Sequence, residues 1–335
     1  MPKLVRHTCY GPPRDVLELV DQPAEQPGPG EIIIGMEAAA MHIADLRTIT
    51  GAQDFAFPLP RTPGFEGVGR VLRIGEGVTK FRVGDRVFPA LASGTFREEV
   101  RCRAQDCTAA PEGDAIQLSL LTVNGPTAAV LLEDFADLRP GDWIIQNAAN
   151  SSCGRYLIRL ARRAGIRTVN VIRRAEVAAE LDELGADVVL LDGDDLSARV
   201  LKATGGVAPC LGIDAVAGPA TQRLAECLAP GSTLVSYGSM TGEPCHLDFY
   251  LMFRNDIRLR GLSFARQFDA KRTPADVSAL YTRLAQLMAE GELVAKIAGV
   301  YPLEHIVEAC ERAGRTGAER DGKVVIEFGR NRVDA

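Results

Sequence analysis

Several features are missing from this chain, and each absence excludes something. No apolar run is long enough to cross a bilayer, and the opening MPKLVRHTCY lacks the apolar stretch of a signal peptide. A membrane partner is therefore not expected, and a cytoplasmic location is the default. There is no basic excess: the net charge of −6 argues against nucleic acid as the main partner. Neither a GxSxG elbow nor a Walker loop occurs, so hydrolase and nucleotide-triphosphatase chemistry lack support. No repeat and no low-complexity segment interrupts the chain. Its eight cysteines (Cys9, Cys102, Cys107, Cys153, Cys210, Cys227, Cys245 and Cys310) are scattered among apolar and small residues. Only Cys102 and Cys107 lie close together, and without a second pair they do not form a zinc-ligand pattern. The cysteines read as buried thiols.

What is present is a globular composition, 46% hydrophobic and 24% charged, over 335 residues. That length is too great for one ordinary core, so two domains are expected. Up to about residue 120, short strand-like runs at 31–36, 67–74, 86–91 and 96–101 are separated by Gly, Pro and Asp. This punctuation suits a small all-β barrel with long loops. A helical stretch near 116–132 follows. From residue 142, six strand candidates (143–146, 168–172, 188–191, 210–213, 233–237 and 257–262) alternate with helices at about 175–184, 195–204 and 218–229. Strands joined by helical crossovers make a doubly wound parallel sheet. The tail holds a helix started by Thr273-Pro274, with Val277, Leu280, Tyr281, Leu284, Leu287 and Met288 on one stripe. A second helix ends at Gly314, and a strand spans 322–329.

The segment 142–174, DWIIQNAANSSCGRYLIRLARRAGIRTVNVIRR, reads as strand, turn, helix, strand. Such a unit can hold a pyrophosphate at the helix N-terminus, where free N–H groups and the helix dipole favour negative charge. Ala149, Ser151 and Gly154 occupy the three glycine places of the usual dinucleotide fingerprint, and only the third remains glycine. By itself the turn is equally well an ordinary strand-to-helix connection. About twenty residues on, where an NAD-binding unit carries an acid for the ribose 2′-hydroxyl, stand Arg173 and Arg174. Their charge and fork geometry suit a 2′-phosphate, hence NADPH; the alternative is a solvated basic strand end.

Five motifs together carry a resemblance: GFEGVGRVLRIGEGV at 64–78, FRVGDRVF at 81–88, VNGPTA at 123–128, NAANSSCG at 147–154 and VSYGSM at 235–240. Over nearly its whole length the chain resembles the medium-chain dehydrogenase/reductase superfamily. Within it, the likeness is to the zinc-free branch of 2-enoyl thioester reductases, with quinone oxidoreductases nearby. The resemblance implies an α/β protein with a GroES-like β-barrel catalytic domain (1–122 and 267–335) and a doubly wound parallel Rossmann sheet (123–266). It implies a homodimer joined through Rossmann sheet edges. It places cofactor contacts at Asn124, Asn150, Ser151, Ser152, Cys153, Arg173, Arg174, Tyr237, Gly238, Ser239, Met240, Leu262 to Ala265 (Phe264 among them) and Lys323. The tyrosine–glycine run also follows the fifth strand, where a doubly wound sheet offers its ligand crevice.

In metal-dependent relatives a cysteine and a histidine help bind the catalytic zinc; the matching positions here are His42 and Phe65. Phenylalanine cannot ligate, and the expectation is a metal-free site. The thioester reductases place a tyrosine acid two residues after the glycine matching Gly51, and this chain has Gln53 there. They usually have asparagine where this chain has His42. Hydride addition to an enoyl β-carbon makes an enolate, which requires a hydrogen-bond donor and a proton, and imidazole can provide either near neutrality. His42 is thus expected to replace the tyrosine, with Gln53 orienting the carbonyl or a water; the alternative is a loop histidine packing beside the cofactor. The expected activity is NADPH-dependent reduction of an activated C=C bond in a small-molecule substrate, a 2-enoyl thioester, with quinone or enone reduction or non-enzymatic NADPH binding as alternatives. His7, His246 and His305 read as surface or capping residues.

Overall fold

The computed structural model describes residues 1–52, 57–262, 272–319 and 321–329. The chain forms two compact units, Met1–Val123 with Ser278–Ala335, and Asn124–Val277. Among the described residues no helix is long and apolar enough to cross a membrane.

The first unit is built on the strand Glu31–Met41. The sequence predicts an end at residue 36, because alanine is a poor strand former. The strand continues because Ala38–Ala40 pair on both sides, with Lys323–Glu327 on one flank and Glu66–Ile74 on the other, and Met41 pairs with Val324. A strand covered on both faces favours small side chains, and Ala38, Ala39 and Ala40 are fully buried. Gly69 belongs to the same packing: a Cβ there would lie 2.3 Å from the Gly35 carbonyl oxygen. Glu99–Arg103 pairs with the first half of the central strand. Arg86–Phe88 and Thr108–Ala109 extend the sheet one way, and Ile297–Pro302, parallel to Lys323–Glu327, extends it the other. The run predicted at 86–91 stops at Phe88, before Pro89, which has no N–H for a ladder. Ile32, Ile34, Val71, Val87, Phe96, Ile306 and Ile326 form the core, joined by the thiols of Cys102, Cys107 and Cys310. Cys9, by contrast, is exposed, and Cys210 and Cys245 are half-buried.

Among the described residues, the second unit contains a six-stranded, all-parallel sheet. In spatial order its strands are Val188–Leu191, Arg167–Ile172, Trp143–Gln146, Leu211–Asp214, Thr233–Ser236 and Arg258–Gly261. Taken in chain order this is 3-2-1-4-5-6, so the winding reverses between Trp143–Gln146 and Leu211–Asp214. A crevice opens at such a reversal, beyond the carboxyl ends of the strands. The crossover helices are Ser152–Arg163, Ala178–Glu183, Leu196–Ala203, Pro219–Ala225 and Phe249–Asn255. Trp143, Ile145, Val169, Val171, Leu224 and Leu234 fill one core.

Candidate active site

In the second unit the strand Trp143–Gln146 runs into a turn and then the helix Ser152–Arg163. Ser151 caps that helix, its Oγ accepting from the Gly154 N–H at 3.1 Å. Gly154 is required: a Cβ there would lie 2.6 Å from the Ala149 carbonyl oxygen. Ala149, in the first glycine place, is buried in a small core with Ile158, Ile172, Val177 and Leu181. The departure from the fingerprint thus puts a methyl group into packing while keeping the one glycine that lets helix and turn touch. Gln146 ties the turn down from beneath, its Nε2 donating to Asn170 Oδ1 at 2.8 Å and to the Gly154 carbonyl at 3.0 Å.

The reversal point is held by a pair that the sequence reading missed. Asn147 Nδ2 donates to Asp214 Oδ1 at 2.6 Å, and Asn147 Oδ1 accepts from the Ala215 N–H at 2.8 Å. The same Asp214 carboxylate accepts from the N–H groups of Val216 and Ala217 and from Thr221 Oγ1. Strand order alone makes Asn147 and Asp214 neighbours; no local pattern marks them as partners.

The predicted cofactor residues of this unit fall largely on one edge of the sheet. Residues 147–154, 173–174, 237–240 and 262 each follow the carboxyl end of a parallel strand. Tyr237 is half-buried; burial first, and then Cys153, push its hydroxyl well above the ordinary tyrosine value, with Ser151 opposing. Gly238 sits against Ala215, where a Cβ would meet the carbonyl oxygen at 3.0 Å. Ser239 Oγ donates to the Glu243 carbonyl, Met240 is exposed, and the Leu262 N–H bonds the Ser236 carbonyl. Asn150 and Ser152 are half-buried, and Cys153 is buried. Asn124 is buried on the helix Leu121–Glu133. Arg173 is exposed and has no ion pair among the described residues; Arg174 is half-buried, 3.9 Å from Glu176. Phe264 and Gln53 lie outside the described residues.

In the first unit His42 begins the helix Ile43–Thr50, and its backbone N–H donates to Asp45 Oδ2 at 2.7 Å. Its side chain is nearly buried between two groups. Nε2 lies 2.5 Å from Glu66 Oε1, and Nδ1 lies 3.2 Å from Lys323 Nζ. Glu66, in the GFEG motif, is 1% exposed. Its Oε2 accepts from Thr122 Oγ1 and from the Val123 N–H, each at 2.8 Å. Val123 lies in the first turn of Leu121–Glu133, where helix N–H groups have no intrahelical acceptor and attract a carboxylate. The same helix contains Pro126, which cannot donate to the Thr122 carbonyl. The Tyr281 hydroxyl bonds that carbonyl instead, at 3.2 Å. Burial and the neighbouring Glu66 raise the Tyr281 hydroxyl above its ordinary value.

The structure therefore brings His42, expected as the acid, against Lys323, expected as a cofactor contact, and adds Glu66 and Asp45. Phe65 packs edge-on against Phe57, ring centroids 6.3 Å apart. His7 is not a surface residue: it is fully buried, its Nδ1 3.2 Å from the Cys9 carbonyl and its backbone bridged to Arg61. His246 and His305 are exposed.

Residues 28–120 match the alcohol dehydrogenase GroES-like domain family, and residues 153–283 match the family described as zinc-binding dehydrogenase. Among curated proteins, the mitochondrial enoyl-[acyl-carrier-protein] reductase of Caenorhabditis elegans is 33% identical over 299 residues, covering 87% of this chain and 85% of that protein. The Bos taurus enzyme of the same name is 33% identical over 321 residues, covering 92% and 86%. Among solved structures, a putative NADPH:quinone reductase from Bacillus thuringiensis superposes with a TM-score of 0.89 at 26% identity, covering 97% and 98%. The mitochondrial 2-enoyl thioester reductase of Candida tropicalis shares the fold, with a TM-score of 0.85 at 22% identity over 98% and 99%. The chain thus belongs to the family of the enoyl-[acyl-carrier-protein] reductases, within the medium-chain dehydrogenase/reductase superfamily.

Proposed function

We propose that this protein is an NADPH-dependent reductase of an activated carbon–carbon double bond, and that its substrate is a 2-enoyl thioester. Family membership carries the reaction class. The end of the strand Arg167–Ile172 supports the cofactor: Arg173 and Arg174 stand where a 2′-hydroxyl would call for an acid. The turn fits a dinucleotide pyrophosphate, with a capped helix start and a glycine contact that no Cβ could replace. Residues 147–154 would hold the pyrophosphate, Arg173 and Arg174 the 2′-phosphate, and Asn124, Tyr237 to Met240, Leu262, Phe264 and Lys323 the remainder. When bound, NADPH supplies a hydride to the substrate β-carbon. The chain must then stabilise the thioester oxygen and protonate the α-carbon, and the His42 cluster is the protein's reservoir for that proton.

Quinone or enone reduction is the second reading, favoured by Gln53 where thioester reductases carry tyrosine. A homodimer through the Rossmann sheet is supported by its edge strand, Arg258–Gly261, exposed at every residue, beside the exposed Phe249, Tyr250 and Phe253. The test is loss of NADPH absorbance with crotonyl-CoA, a long-chain enoyl-CoA, a naphthoquinone and an enone. Faster turnover of an enoyl-CoA is expected; a faster quinone selects the second reading, and binding without oxidation makes the chain a non-catalytic NADPH-binding protein. Replacing Arg173 and Arg174 with alanine should weaken NADPH about 10- to 100-fold and leave NADH unchanged. A wild-type preference for NADH would refute the cofactor assignment.

A further inference from the structure

We infer that the α-proton leaves from Lys323, and that His42, fixed by Glu66, is the positioning residue behind it rather than the donor. The inference rests on the reductase reading above and names the acid which that reading leaves open. An ammonium has hydrogens but no lone pair, so in the 3.2 Å contact Lys323 Nζ donates and His42 Nδ1 accepts. The ring proton is then on Nε2, donating to Glu66 Oε1. Glu66 can accept it because its other oxygen is already held by Thr122 and Val123. Both nitrogens of His42 are committed, and its side chain is only 9% exposed. Lys323, half-buried at the start of its strand, is the most exposed of the three, beside the buried His42 and Glu66.

The cluster also has a second arrangement with the same number of protons. Moving one proton along the Nζ–Nδ1 hydrogen bond leaves a neutral amine and an imidazolium facing the Glu66 carboxylate. In the chemical step, hydride addition at the β-carbon displaces the C=C π pair towards the α-carbon. That pair forms a C–H bond with a proton from Nζ, the N–H bond breaks, and its electrons stay on nitrogen. Water then returns a proton to the amine. The other groups facing the cluster are Asp45, which interacts with His42, Glu66 and Lys323; Arg61 and Cys310, both beside Asp45; and Tyr281, beside Glu66.

The test combines kinetics with a measurement independent of turnover. Nitrogen-15 spectra of the histidine-labelled protein without nucleotide, with His42 assigned by its loss in His42→Asn, should show the Nε2–H tautomer; an Nδ1–H tautomer would overturn the inference. Lys323→Arg keeps the charge but gives up its proton far less readily. It should slow single-turnover reduction at least 100-fold, within the ~10²–10⁴ range of general acids, with NADPH affinity within about threefold. Lys323→Met should be as slow. His42→Asn and Glu66→Gln should slow the step less and displace its pH profile, which a purely structural role would not do. Wild-type turnover by Lys323→Arg, or a loss confined to NADPH affinity, would make Lys323 a cofactor contact only and overturn the inference. If the wild type fails to oxidise NADPH with any of the four substrates, the reductase reading fails and the inference falls with it.

Discussion

Replacing Asp45 with asparagine should change how stability depends on pH, and the structure sets the size of the effect. Asp45 is fully buried; its Oδ2 accepts from the His42 N–H, and its Oδ1 has no hydrogen-bond partner among the described residues. Burial raises its carboxyl from 3.8 to about 6, with the neighbouring His42 opposing. A carboxyl raised in this way binds its proton more tightly in the native chain than in the unfolded one. Native stability therefore falls as pH rises from about 4 to about 6 and is level above that. The gap corresponds to about 3 kcal/mol at neutral pH. Asparagine retains an acceptor for the His42 N–H and cannot ionise, so this slope disappears. It also places an amide N–H where Oδ1 had no donor, which costs ~1–3 kcal/mol at every pH and so drops out of the pH dependence. Denaturant unfolding of both proteins at about pH 4 and about pH 7, followed by far-ultraviolet circular dichroism, measures the difference. Between the two conditions the variant should gain about 2–3 kcal/mol on the wild type, since the unfolded carboxyl is already partly ionised at about pH 4. Trp143, the chain's one tryptophan, lies in the other unit and is the less suitable probe. A difference that is the same at both pH values would refute the account of Asp45.

Two further substitutions test the nucleotide-binding unit. Gly154→Ala forces a methyl group against the Ala149 backbone and should destabilise the unit by about 1–3 kcal/mol, read from Trp143 fluorescence, with a parallel loss of NADPH affinity; unchanged unfolding would mean that the turn has room to shift. Asp214→Ala removes the acceptor for Asn147, Val216, Ala217 and Thr221 and should cost about 3–5 kcal/mol in the same assay, whereas a loss under about 1 kcal/mol would show that water replaces the carboxylate.

Much of the architecture was already determined by the sequence, because its signals are local. Strand runs separated by amphipathic helices, with Gly165, Gly185, Gly205 and Pro230-Gly231 as stops, specify a parallel α/β sheet through side-chain periodicity and backbone restriction alone. Arg173 and Arg174 were legible for the same reason, since an offset of about twenty residues along one strand–helix–strand unit is fixed by its geometry. Sequence order also showed that Ala149 departs from the fingerprint, but not that its methyl group fills a core with Ile158 and Leu181. Tertiary structure decided the strand through Ala38–Ala40, because pairing on both flanks overrode the weak strand preference of alanine. It also decided the cluster of His42, Glu66 and Lys323. These residues come from one helix start and two strands, with Lys323 281 positions from His42, and no spacing rule connects them. Sequence reading could nominate His42 by its chemistry. Only folding shows that both its ring nitrogens are occupied, because hydrogen-bond partners are set by which strands lie side by side.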